Sequence, residues 1–190
     1  MEQREKFSQI TADFFELFES AYQPRDSAQW VSSPFASISG GVVTHDGING
    51  QKCVLLRTPF TPLESYFNVR LERASSAGIA IGVTSSRKND KKGPPLLERE
   101  TDSVLFFTDR GEIQAEGSLV PLADVAGHHV VKPGTLVTLT LDCAERRLGF
   151  AVNGCNVRVG GDYMRLNFRN LRPVVILYAP GDIVELFDTK

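Results

Sequence analysis

At 190 residues, 42% hydrophobic and 23% charged, the chain has room for one ordinary core plus a modest extension and is too apolar to be a disordered tail. A formal net charge of −2 gives no general pull toward nucleic acid or anionic lipid. No apolar run approaches the ~20 residues that cross a bilayer, and the opening MEQREKF develops no apolar signal core, so a cytoplasmic or nuclear protein is expected rather than a secreted one.

Residues 3–21 predict the one convincing helix. Phe7, Ile10, Phe14, Leu17 and Phe18 recur at spacings of three and four, with Glu5, Asp13, Glu16 and Glu19 on other sides. A lone helix of this length is marginal in water, so the stripe needs a cover. Three covers stay open: the following domain, a partner, or a second copy of the chain. Residues 1–24 are therefore read as an amphipathic helical extension and 28–190 as the main domain.

From Trp30 onward the pattern is β. Residues 42–43 and 53–56 are short strands around Asp46–Gly47 and Asn49–Gly50. Residues 66–71 alternate, with Phe67, Val69 and Leu71 on one side. Residues 79–83 carry Ile79, Ile81 and Val83 on one face and only Ala80 and Gly82 on the other, so another backbone or a curved sheet is expected close against them. Strands over 102–108 and 112–116 flank the reversal Asp109–Arg110–Gly111, and strands over 174–177 and 183–187 flank Ala179–Pro180–Gly181.

The sharpest signal lies in 136–159. Leu139 and Leu141 alternate with Thr138, Thr140 and Asp142; a polar turn follows; residues 148–152 then run into Asn153–Gly154. That dipeptide tolerates the two positive φ angles of a type I′ turn. A two-residue loop pairs Val152 with Cys155, Phe150 with Val157 and Leu148 with Val159, three apolar pairs on one face. Eleven or twelve short strands separated by Gly, Asn, Asp and Pro turns predict an all-β, two-sheet antiparallel sandwich.

Chemistry-bearing groups are sparse. His128 and His129 are adjacent and point to opposite sides in extended chain, which disfavours chelation of one metal. His45 beside Asp46–Gly47 reads as a solvated or locally bonded turn histidine, and Asp142 as a turn anchor. Cys53, Cys143 and Cys155 are an odd number without CxxC spacing and read as free thiols. There is no GxSxG elbow and no GxxxxGK[ST] phosphate loop. No catalytic, cofactor-binding or metal-ligating residue is assigned. The basic run Arg87, Lys88, Lys91, Lys92 reads as a solvated loop or as a margin that steers an acidic or phosphate-bearing surface; it lacks the exposed aromatics that nucleic-acid recognition would add.

Three blocks, YFNVRLERASSAGIAIGVTSS, LVTLTLDCAERRLGFAVNG and LRPVVILYAPGDIVELF, resemble the SPRY domain of B30.2-type modules. The matching positions are Tyr66–Phe67–Asn68–Val69, Ile81–Gly82–Val83, Leu141–Asp142 with Leu148, Phe150, Asn153 and Gly154, and Pro173 with Val175. Asn68 departs from the acidic residue usual there, and Ala179–Pro180 from the aromatic–Gly pair of some relatives. The resemblance covers about residues 28–190. It implies a bent, concanavalin-like antiparallel sandwich without catalytic residues, a non-catalytic module that binds a peptide or protein surface through loops at one end and serves as an adaptor or complex subunit. A carbohydrate-binding domain of lectin type and an enzyme of unrecognised type are the alternatives. The loops implied are 57–64, 87–100 and the 179–180 turn. Their openings are expected to converge on a shallow protein-binding groove bordered by Arg57, Phe60, Arg87, Tyr178 and Pro180.

Overall fold

The computed structural model describes residues 22–24, 30–32, 35–48, 52–57, 60, 66–76, 78–85, 102–115, 118–121, 132–142, 145–157, 166–167 and 170–189. These form fifteen strands: β1 (Tyr22–Pro24), β2 (Trp30–Ser32), β3 (Ala36–Ser39), β4 (Val42–His45), β5 (Cys53–Arg57), β6 (Tyr66–Arg73), β7 (Ile79–Thr84), β8 (Ser103–Phe107), β9 (Glu112–Ala115), β10 (Ser118–Pro121), β11 (Leu136–Asp142), β12 (Arg147–Val152), β13 (Cys155–Val157), β14 (Arg172–Leu177) and β15 (Ile183–Thr189). The helix expected over 3–21 lies outside the described residues.

The first sheet runs β13-β12-β11-β6-β15-β4-β3, with β1 also paired to β15; the second runs β10-β9-β8-β7-β14-β5-β2. The pairings are antiparallel. β15 has β6 along one side, while β4 pairs with its first half and β1 with Phe187–Thr189. The sandwich thus takes in residues 22–24, which the sequence assigned to the extension.

Alternation places the core between the sheets. Phe67, Val69 and Leu71 of β6, Val137 and Leu139 of β11, and Val184 and Leu186 of β15 are fully buried from one side. Cys53, Leu55, Ile79, Ile81, Val83, Val175 and Leu177 are fully buried from the other. Phe106 and Phe150 bridge the layers, ring centroids 5.8 Å apart. The second sheet is also buried on its far face, where Val54, Ala80, Leu105, Phe107, Val174 and Ile176 make a separate apolar cluster. That explains the unbroken burial of β7 and β8, a feature of strands covered on both faces.

Gly82 shows why β7 is so bare. A Cβ built there would collide with the Val104 carbonyl oxygen of β8, so the neighbouring backbone occupies the space that a side chain would need. The β12–β13 hairpin has the expected register, with Val152 opposite Cys155 and Phe150 opposite Val157. Asn153 and Gly154 hold φ of 48° and 78°, as a type I′ turn requires. The third expected partner, Val159, lies outside the described residues. Asn153 also ties the turn to β11: its N–H donates to the Leu136 carbonyl at 2.8 Å and its Oδ1 accepts from the Leu136 N–H at 2.9 Å. Asp142 anchors the turn after β11 by accepting from the Glu145 N–H at 2.9 Å. Asn68 is buried on the outer face of the first sheet, where its Oδ1 accepts from the Thr138 hydroxyl at 2.7 Å.

Candidate functional site

The strand register decides which loops share an end of the sandwich. β14 runs antiparallel to both β5 and β7, pairing Arg172 with Thr84, Val174 with Leu56, and Leu177 with both Ile79 and Cys53. The C-terminal ends of β5 and β7 therefore lie at the start of β14, and Tyr178 follows its far end. Five residue-to-residue steps along β14 separate the two ends, about 17 Å at the usual rise. The openings expected to converge on one groove therefore lie apart: β5, which ends at Arg57, and β7 finish at one end of the sandwich, and Tyr178 stands at the other. Two strands that are both antiparallel to a third must present their C-terminal ends where the third begins.

Arg57 closes β5 opposite Trp30 at the first end. The loop that carries Arg87 leaves β7 there, and Arg87 itself lies outside the described residues. Phe60 also belongs to that end. Its N–H donates to the Leu171 carbonyl at 2.9 Å, and its side chain is 9% exposed within the inter-sheet core, so its ring serves packing rather than standing free as an anchor. Tyr178 and Pro180 remain, at the opposite end.

That opposite end is built on Asp182. The carboxylate is 1% exposed, yet it accepts three backbone N–H groups: Ser75 on Oδ1 at 2.7 Å, and Tyr178 and Ala179 on Oδ2 at 3.2 and 2.9 Å. A buried charge is tolerable where hydrogen bonds of this kind replace its hydration. The backbone adds a second clasp, with His45 N–H donating to the Asp182 carbonyl at 3.0 Å and Gly181 N–H to the His45 carbonyl at 2.9 Å. Gly181 makes the reversal at φ +81°, a conformation that costs a side-chain-bearing residue about 1–2 kcal/mol. His45 ends β4 buried rather than solvated, and its Nδ1 accepts from the Gly47 N–H at 2.9 Å, the local bond expected of it.

Around this clasp lies a rim. Tyr178 is half-buried against the outer apolar cluster, with the Lys52 ammonium 5.1 Å from its ring centroid. Pro180 is exposed. Ile48, on the β4–β5 connection, is 70% exposed. The Arg73 guanidinium lies over the turn, 3.7 Å from where a Cβ on Gly181 would be. At the neighbouring corner Arg110 stacks on Phe107, 4.6 Å from the ring centroid, and pairs with Asp109 and Glu112. Rigid aromatic and apolar groups beside cations suit recognition of a protein surface. Among the described residues no cluster of three His, Cys, Asp or Glu side chains could hold a metal ion.

Ile48, Lys52, Arg73 and Asp182 escaped the sequence reading. Ile48 had a visible signal, an apolar residue between Asp46–Gly47 and Asn49–Gly50, where no strand can bury it. Asp182 and Ser75 are 107 positions apart, and nothing local couples them.

The SPRY domain family model matches residues 64–189. Among solved structures, the SPRY domain of human HERC1 aligns at a TM-score of 0.63 and 20% identity, covering 86% of this chain and 96% of that one. Another human SPRY domain aligns at 0.65 and 18% identity, over 82% and 96%. The carbohydrate recognition domain of Emp46p, in its metal-free form, aligns at 0.55 and 10% identity, over 84% and 87%. At these identities the structural likenesses show a shared sandwich. No curated protein matches the sequence.

Proposed function

The chain belongs to the SPRY domain family, whose members are generally non-catalytic protein-interaction modules, and from that membership we propose that it docks a partner protein or peptide on the rim around Tyr178 and Pro180. The observation that carries this reading is the Asp182 clasp. It fixes the backbone of residues 178–182 before any ligand arrives, so little conformational entropy remains to be lost on binding. Tyr178 supplies the larger apolar area, Pro180 and Ile48 extend it, and Lys52 and Arg73 add orienting charge. In this reading Arg57 and Arg87, whose strands end at the other side, take no part in the rim.

In the same reading the chain acts as an adaptor or complex subunit in the cytoplasm or nucleus. The test is a pull-down from cell extract with the parent chain and with a Tyr178→Ala/Pro180→Ala variant of unchanged melting temperature. Loss of specific partners from the variant supports the rim; retention of every partner places the site elsewhere. A glycan array separates this function from carbohydrate binding, which the sandwich shared with Emp46p raises as an alternative: saturable binding to one glycan class would displace the protein-binding reading.

A further inference from the structure

Charge at the Tyr178 end is unevenly distributed. At the Phe107 corner Arg110 is matched by two carboxylates, Asp109 and Glu112. The 178–181 turn is different. The carboxylate nearest to it, Asp182, is buried and committed to three backbone N–H groups. Arg73 lies across the turn and is exposed. Lys132 is exposed on the turn that hydrogen-bonds along the end of β6, through Thr135 N–H to the Lys132 carbonyl and Gly134 N–H to the Leu71 carbonyl. Among the described residues neither Arg73 nor Lys132 makes an ion pair. Lys52, over Tyr178, adds a further cation. Among the described residues the exposed carboxylates on this side are Asp46 and Glu72, and Glu72 is paired with Arg70 at 3.1 Å, so Arg73, Lys132 and Lys52 leave the rim basic although the whole chain carries a formal net charge of −2.

We propose that the ligand of this rim is an acidic segment of a partner protein, its carboxylates facing Arg73 and Lys132 while an apolar residue lies against Tyr178 and Pro180. The inference rests on the rim reading above and gives that rim its specificity. Arg73 and Lys132, set beside a fixed apolar platform and outside any ion pair among the described residues, lose little on meeting a carboxylate and repel a basic segment. The distribution also sets direction. Approach from the Phe107 corner meets compensated charge, whereas the end of β6, past the Arg70–Glu72 pair, presents Arg73.

The probe is a random dodecapeptide display library selected on the full chain, with recovered peptides re-measured by fluorescence anisotropy. Recovered peptides are expected to be enriched in Asp and Glu, and to bind an Arg73→Glu/Lys132→Glu variant about tenfold more weakly. Raising salt from about 0.05 to 0.5 M should weaken them further, since exposed charges are screened. The substituted side chains are exposed, and the variant's melting curve should match the parent's. Peptides without acidic enrichment, peptides indifferent to the charge reversal, or no recovered peptide overturn the inference. Peptides without acidic enrichment that are still lost on Tyr178→Ala would leave the rim in place and remove only its acidic preference. Acidic peptides that bind both variants as tightly as the parent would remove the rim reading as well.

Discussion

The Asp182 carboxylate, at the turn that carries the chain from one sheet to the other, accepts the Ser75 N–H at 2.7 Å and so ties that turn to the connection between β6 and β7. Both connections cross between the sheets at the same end. One side chain therefore holds two crossings together, and the rim inherits its rigidity from that tie.

Removing this carboxylate should cost more than an ordinary surface change. Asp182→Ala leaves three part-buried N–H groups without their acceptor and is expected to destabilise the fold by about 2–4 kcal/mol. Asp182→Asn keeps one acceptor oxygen but turns an NH2 group toward other donors, for a loss of about 2–3 kcal/mol. Urea unfolding measures both. A parent-like midpoint for Asp182→Ala would show that the clasp does not stabilise the fold.

Phe150 is 2% exposed and meets Phe106 across the sandwich. Phe150→Ala should destabilise by about 3–5 kcal/mol, through lost transfer free energy and the cavity left behind. Thermal melts indistinguishable from the parent would contradict its place in the inter-sheet core.

Two glycines should respond differently to alanine. At Gly82 the new methyl would collide with the Val104 carbonyl, a backbone atom that cannot rotate away, so Gly82→Ala should cost about 3 kcal/mol or more. At Gly134 nothing lies within 4 Å of the Cβ position and only φ of +84° opposes the change, for about 1–2 kcal/mol. Equal losses in urea unfolding would place β8 farther from β7 than the structure does.

The β12–β13 turn offers a pair of substitutions that separates side-chain from backbone effects. Asn153→Asp keeps the oxygen that accepts from Leu136 and tolerates φ of 48°, so a loss below about 1 kcal/mol is expected. Gly154→Val has open space around its Cβ but a β-branched side chain at φ +78°, and should lose about 2 kcal/mol. Chemical denaturation ranks the two, and equal stability would argue against the type I′ geometry.

The sequence was most legible where one residue's role is decided by its near neighbours. Asn153–Gly154 fixes a turn, the turn fixes the pairing of Phe150 with Val157, and alternation fixes which face is buried. The bareness of β7 likewise announced the close backbone at Gly82. Short edge strands such as β3, with Ser37 and Ser39 exposed, have too few apolar residues to stand out and form because a partner strand is already in place. The proposed rim was half legible. Tyr178 and Pro180 sit on a turn that the APG tripeptide marks, but which other loops share their end depends on the direction of β14 relative to β5 and β7, which no local pattern encodes. Composition flagged Arg57 and Arg87, and topology put the ends of their strands about 17 Å away.

The pairing of β1 with β15 places Tyr22 directly opposite Thr189, so the polypeptide arrives at and departs from the sandwich side by side. Tension applied across those two points would not shear the pair. It would peel β1 away one hydrogen bond at a time, the weakest way to load an antiparallel ladder, each step resisting with only about 1 kcal/mol. The Tyr178 rim, at the far end of β15 from that seam, would keep its shape while β1 came away, as a mechanical fuse spares the part beyond it.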